Sequence, residues 1–186
     1  MHTETGMSGS IITFKGITPK IHPSVFICEG VKIIGDVEIG EDCSIWYNTV
    51  VRGDVNYIRI GKGTNIQDLS MLHVTKKYYP LTIGDNVVVG HSVTLHGATI
   101  HNNCLIGIGA LVLDGSIIHS SSIVAAGAVI IEGFIVPERT LVAGVPAKVI
   151  RRLTDEDIER INTISRNYKD YVQEYRLYSN LNYKNV

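Results

Sequence analysis

Aromatic residues are scarce in this chain, 7% of 186 residues with one Trp and three Phe. A core built on large rings is therefore excluded, and a narrow core of branched aliphatics is expected instead. An excess of either charge is also missing: 17 Lys and Arg face 18 Asp and Glu, for a net charge of −1. No basic stripe suits nucleic acid, and no basic run suits an acidic membrane surface. No apolar stretch is long enough to span a bilayer. Met1 to Ser10 is polar and has no signal-peptide apolar region. The three cysteines, Cys28, Cys43 and Cys104, are scattered and odd in number. They argue against a disulfide framework and for reduced thiols in a cytoplasmic protein.

What the chain does have is an Ile, Leu or Val every six residues. The series runs Ile21, Ile27, Ile33, Ile39, Ile45 and Val51, slips by three, and resumes at Ile60, Ile66 and Leu72. After an insertion of five it continues with Ile83, Val89 and Leu95. After a deletion of one it runs from Ile100 through Ile106, Val112, Ile118, Val124, Ile130 and Val136 to Val142. A period of six fits neither a helix nor an alternating strand. It is the mark of a hexapeptide solenoid, whose short strands and corners wind about an aliphatic axis. The 18 glycines suit its corners. Three rungs per triangular coil predict an all-β solenoid, a parallel β-helix of six to seven coils stacked about 4.8 Å apart.

Residues 1–20 read as a lead-in, 21–150 as the β-helix, and 151–186 as a C-terminal helix and tail. The two interruptions, at Gly53–Tyr57 and Lys76–Pro80, are expected to project as loops, where function is often carried. Gly144-Val145-Pro146-Ala147-Lys148 ends the repeats. Thr154 is a plausible N-cap, followed by Asp155, Glu156 and Asp157, where acid favours the helix dipole. Ile158, Ile161, Ile164, Tyr168, Tyr171, Val172, Tyr175 and Tyr178 then recur at three or four, predicting one amphipathic helix over 155–179 with a frayed tail beyond. It is expected to pack on a solenoid wall, its own or a neighbour's. Its tyrosine face reads as packing rather than ligand binding.

The period gives each histidine an address. Val51, Leu72 and Leu95 differ by whole coils, so Arg52, His73 and His96, which follow them, stack on one face. Two imidazoles about 4.8 Å apart can both reach one metal ion. His91 falls on another column and cannot easily join them within one chain. It could join them from a neighbour, if three prisms pack side by side. Polar corner residues are the competing explanation, and the period alone leaves both open. His101 and His119 also stack, on the third column, with no third histidine or charged companion, and read as structural. His22 and His2 read as incidental.

Val51-Arg52-Gly53-Asp54, Asn65-Ile66-Gln67-Asp68, Met71-Leu72-His73-Val74, Val89-Gly90-His91 and Leu95-His96-Gly97 resemble the motif series of the gamma-class carbonic anhydrases, over about residues 20–181. The resemblance is greatest to the bacterial branch of that family. It implies a left-handed parallel β-helix, a homotrimer, and zinc at each of three subunit interfaces. By motif position His73, His91 and His96 match the metal ligands. Gln67 matches the residue that hydrogen-bonds the metal-bound water. Arg52, Asp54 and Asp68 match the polar set that ties subunits together, and the segment from Asn65 to Asp68, on the rung below His73, suits a supporting role there. Tyr168 matches a helix tyrosine at the active-site mouth. The implied reaction is reversible hydration of carbon dioxide to bicarbonate by a metal-bound hydroxide, with Zn, Fe or Co as the metal.

The chain departs from that pattern at two points. Active relatives carry a Glu directly after the Arg-x-Asp motif, where this chain has Val55. They carry another on an acidic loop, where this chain has Lys76, Lys77, Tyr78 and Tyr79. Without these relay carboxylates, bound metal with slow or absent turnover is expected, since a general acid or base contributes about 10²–10⁴-fold. Two other readings compete. One is a hexapeptide acyltransferase that uses a histidine base and acetyl-coenzyme A. The other is a non-catalytic metal-binding trimer.

Overall fold

The computed structural model describes residues 9–182. Met1 to Ser8 of the lead-in and residues 183–186 of the tail lie outside the described residues. The chain winds as a parallel β-helix of about seven turns, left-handed as the motif series implies, closed by one helix.

The expected stacking holds at every rung. One column pairs Ile33, Val51, Leu72, Leu95, Val112 and Ile130 in register. A second pairs Ile27, Ile45, Ile66, Val89, Ile106, Val124 and Val142. The third pairs Ile21, Ile39, Ile60, Ile83, Ile100, Ile118 and Val136. Apart from the half-buried Ile21 at the open end, all of these side chains are buried. One branched side chain per rung fills the narrow axis, and the area removed from water holds the coils together. Corners take left-handed backbone at residues such as Asn48, Asn86 and Asn103, side chains that tolerate that conformation.

The interruptions behave differently from each other. Gly53–Tyr57 is no projecting loop: Val50–Ile60 is one continuous strand. Its extra residues are absorbed by a register shift against Lys32–Ile39, between Gly35 and Val37. A bulge keeps most ladder hydrogen bonds that a loop would forfeit. This strand turns the corner and joins the first and third columns into one sheet of 12 strands. The insertion at Lys76–Pro80 does project, as a tight turn closed by Thr75 N donating to Tyr79 O at 2.9 Å.

The repeats end in an antiparallel hairpin, Thr140–Gly144 with Ala147–Arg152. The helix Asp155–Asn182 follows. Thr154 Oγ1 accepts from Asp157 N at 3.2 Å, while Asp157 Oδ2 accepts from Thr154 N at 2.8 Å, a reciprocal cap. The backbone stays helical three residues past the expected end at 179. The helix packs on its own wall, against Ser44–Ile45 and Val88–Val89. Tyr168 and Tyr175 meet Trp46 edge-on at 5.4 and 5.2 Å. Tyr171, Tyr175 and Tyr178 all keep an exposed side, so the tyrosine face packs only in part. Arg176 Nη2 donates to Ser24 O at 2.7 Å and ties the distal helix to the first coil.

Candidate metal centre

Three histidines and three aspartates sit on two separate edges of the prism. On the first column His73 and His96 are paired across adjacent coils. In-register parallel stacking puts equal addresses on the same outer edge, so both rings point the same way. Nδ1 of His73 faces Nε2 of His96 at 3.1 Å. Each far nitrogen meets a carboxylate: His73 Nε2 is 3.0 Å from Asp54 Oδ1, and His96 Nδ1 is 2.7 Å from Asp114 Oδ1. Arg52 Nη1 donates to Asp54 Oδ2 at 2.5 Å.

A count of protons shows what this arrangement holds. A neutral imidazole has one N–H, and the tautomer that serves both carboxylates turns it to Asp54 in His73 and to Asp114 in His96. Lone pairs are then left on the two facing nitrogens. Burial lowers the His73 pKa; the hydrogen bond to Asp54 opposes this, and the charges of Arg52 and His96 reinforce it. An extra proton on His73 is thus disfavoured, and a cation between the lone pairs suits the site. Two nitrogens at 2.0–2.1 Å from a tetrahedral Zn²⁺ stand about 3.3 Å apart, close to the 3.1 Å found here. Burial acts to raise the Asp54 pKa, but the hydrogen bonds from His73 and Arg52 outweigh it and hold the carboxyl below its usual value. Asp54 therefore stays an anion behind His73.

The second edge carries the remaining residues. His91 Nδ1 lies 2.7 Å from Asp68 Oδ2. Gln67 Nε2 donates to Asn65 Oδ1 at 3.1 Å, and both amides are buried beneath the helix. Tyr168 overlies this edge. Burial, and after it the charge of Asp68, push its hydroxyl up to about 12, so it keeps its proton at neutral pH. The segment Asn65–Asp68 lies on this edge, one rung before His73 in the chain. Its coil neighbour is Val88–His91, with Gln67 N donating to Val89 O at 2.9 Å and Ser92 N to Asp68 O at 2.8 Å. The segment therefore serves His91.

The structure thus brings Arg52, Asp54, His73 and His96 together, and separately Asn65, Gln67, Asp68, His91 and Tyr168. It does not join the two groups within one chain. Among the described residues no three His, Cys, Asp or Glu side chains converge on a common point able to hold a metal. His101 and His119 do stack, with ring centroids 5.0 Å apart, and no third ligand joins them.

Asp114 escaped the motif reading. Its signal was present: it is the only Asp, Glu, Lys or Arg between Asp85 and Glu132. Its address lies one coil above Gly97, next to His96, where a lone charge among aliphatic rungs needs a partner.

The pattern described as Bacterial transferase hexapeptide (six repeats) matches residues 18–53. The chain is 51% identical to "Carbonic anhydrase" of Geobacillus kaustophilus, over 89% of this chain and 91% of that one. It is 40% identical to "Gamma carbonic anhydrase 2, mitochondrial" of Arabidopsis thaliana, over 84% of this chain and 58% of that longer one. A crystal structure of a hexapeptide transferase family protein from Anaplasma phagocytophilum superimposes with a TM-score of 0.85 at 39% identity, covering 89% of this chain and 97% of the other. No helix among the described residues is long and apolar enough to cross a membrane. A shared solenoid shows the fold alone, whereas identity this high over nine-tenths of both chains shows kinship, and the chain belongs to the gamma carbonic anhydrase family of hexapeptide-repeat proteins.

Proposed function

We propose that the protein hydrates carbon dioxide reversibly, as a homotrimer with one metal site at each interface. The carrying observation is that each of three imidazoles is gripped at one nitrogen by its own carboxylate, Asp54 on His73, Asp68 on His91 and Asp114 on His96. That grip fixes the tautomer and presents the other nitrogen as a ligand, the usual support for a metal-bound histidine. Two of these nitrogens converge and the third lies on another edge. A head-to-tail contact between copies supplies the third, and three such contacts close a ring. Leu69 and Met71, 62% and 37% exposed, lie between the two edges and suit coverage by a neighbour that excludes water.

Zinc is the metal proposed, with iron or cobalt accepted by the same donors, and it supplies a nucleophilic water acidified near neutral pH. The chain's own residues do the rest. Gln67, braced by Asn65, holds the water's orientation. Asp54, Asp68 and Asp114 each hold one ring nitrogen and aim the other. Tyr168 donates at the mouth. Proton export is the weak step: Val55 is partly exposed in its strand, and the Lys76–Tyr79 turn places only Lys and Tyr beside the site. Turnover is accordingly slow.

The likeness to a hexapeptide transferase structure supports a second reading, acyl transfer from coenzyme A with one histidine as base. A facing imidazole pair between two carboxylates is superfluous for that chemistry. Zinc content against coenzyme A binding separates the two.

The test measures bound metal and carbon dioxide hydration in the wild type, His73→Ala, His91→Ala, and a refolded mixture of the two variants. Each variant alone should lose metal and activity. The mixture should regain about a quarter of the wild-type sites, the statistical share in a cyclic trimer whose sites draw on two chains. No metal in the wild type, or no regain in a mixture shown to form mixed trimers, would overturn the proposal.

A further inference from the structure

We propose that Asp114 is the positioning residue of the ligand His96, and that Thr75 couples this position to the turn at residues 76–79. The inference rests on the metal reading above and deepens it.

Asp114 uses both carboxylate oxygens. Oδ1 accepts from His96 Nδ1 at 2.7 Å, and Oδ2 accepts from Thr75 Oγ1 at 2.6 Å. Its side chain is 16% exposed, so these bonds are shielded and worth more than surface contacts. Space for it is made by Gly97. That residue has φ +56, and a Cβ there would lie 2.1 Å from Asp114 Oδ1 and 2.7 Å from Tyr79 Cβ. Tyr79 in turn rests against Gly115, where a Cβ would meet its ring at 2.9 Å. The carboxylate is therefore wedged between the imidazole, the base of the turn and a tyrosine ring. Thr75 is held from its other side, with Asn56 Nδ2 donating to its carbonyl at 3.0 Å. Both interruptions of the hexapeptide period, around residues 56 and 76–80, so meet at Thr75, one bond from Asp114 and two from His96.

An Nδ1–H committed to Asp114 keeps Nε2 of His96 a lone pair aimed at His73. Without Asp114 the ring can flip or take the other tautomer, and the ligand pair loses its register. Asp54 supports His73 in the same way but lies inside the Arg-x-Asp motif, whereas Asp114 lies outside every motif in the series.

The experiment compares wild type, Asp114→Ala, Asp114→Asn and Thr75→Val. Zinc affinity is read by competition with a chromophoric chelator, and the His96 tautomer by long-range ¹H–¹⁵N correlation in the metal-free protein. Asp114→Ala should weaken zinc about 10–100-fold and convert a single Nδ1–H tautomer into a mixture. Asp114→Asn keeps an acceptor and should recover at least half of that loss on a logarithmic scale. Thr75→Val should show a smaller loss in the same direction. Wild-type zinc affinity in both Asp114→Ala and Thr75→Val, with His96 still a single Nδ1–H tautomer, would overturn the proposal. Should Asp114→Ala fail to fold, Thr75→Val alone decides, and an unchanged affinity there overturns it. Absence of zinc binding in the wild type strikes the proposed function instead, and the tautomer comparison then still decides whether Asp114 positions His96.

Discussion

Nδ1 of His73 and Nε2 of His96 face each other at 3.1 Å across one coil step, with a carboxylate behind each ring. Neither nitrogen has a proton to give the other once both carboxylates are served. The pair turns two lone pairs toward each other across the coil step.

Acid should expose that design. Burial lowers the His73 pKa from its ordinary value near 6.5. The unfolded chain then takes a proton at a higher pH than the folded one. Between the folded and unfolded values the unfolded state binds more protons, so stability rises with pH there and levels off above about 6.5. The metal-free protein should therefore lose stability only as pH falls below that value. Zinc should likewise persist into the same acidic window, because the competing proton binds weakly. Denaturation midpoints and zinc release followed against pH check both, and loss of zinc already above neutral pH would contradict them.

The cysteines should be inert in the native protein. Burial pushes the thiols of Cys28 and Cys104 up to about 12 and that of Cys43 to about 11. Thiolate is the reactive form, and all three side chains are buried. A disulfide-exchange reagent should label none of them within minutes in buffer, and all three in denaturant. Rapid native labelling would show that a coil opens.

Truncation on the axis should be costly. Ile106 is fully buried in the middle column, and Ile106→Ala should lose about 2–5 kcal/mol, since neighbouring coils are fixed by their ladders and cannot close the cavity. Ile21→Ala, at the half-buried open end, should lose less. Urea unfolding of both variants measures the gap.

Tyr168 separates packing from chemistry. Its ring stands 5.4 Å from Trp46 at 82°, a geometry worth about 0.5–1.5 kcal/mol beyond its buried area. Tyr168→Phe should keep the melting temperature and lower hydration turnover, while Tyr168→Ala should lower both. The pH–rate profile of the wild type should show no tyrosine ionisation below about pH 10, given a hydroxyl pushed up to about 12. Equal turnover in wild type and Tyr168→Phe would remove the hydroxyl from the mechanism.

Much of this molecule was legible before any coordinates, because a solenoid has one variable. Once Ile, Leu and Val recur every six residues around a narrow axis, burial leaves each rung a single inward position, and the address of every other residue follows. That is why His73 and His96 could be paired, and His91 set apart, from spacing alone. Tertiary structure decided what the period does not encode. The three-residue slip after Val51 could have looped out or bulged within a strand, and ladder hydrogen bonds settled it as a bulge. The helix could have lain on either of two chains, and the Trp46–Tyr168–Tyr175 cluster placed it on its own. Above all, the partner of each imidazole depends on side-chain reach between coils. Asp68 thus meets His91, and Asp114, outside every motif, closes on His96.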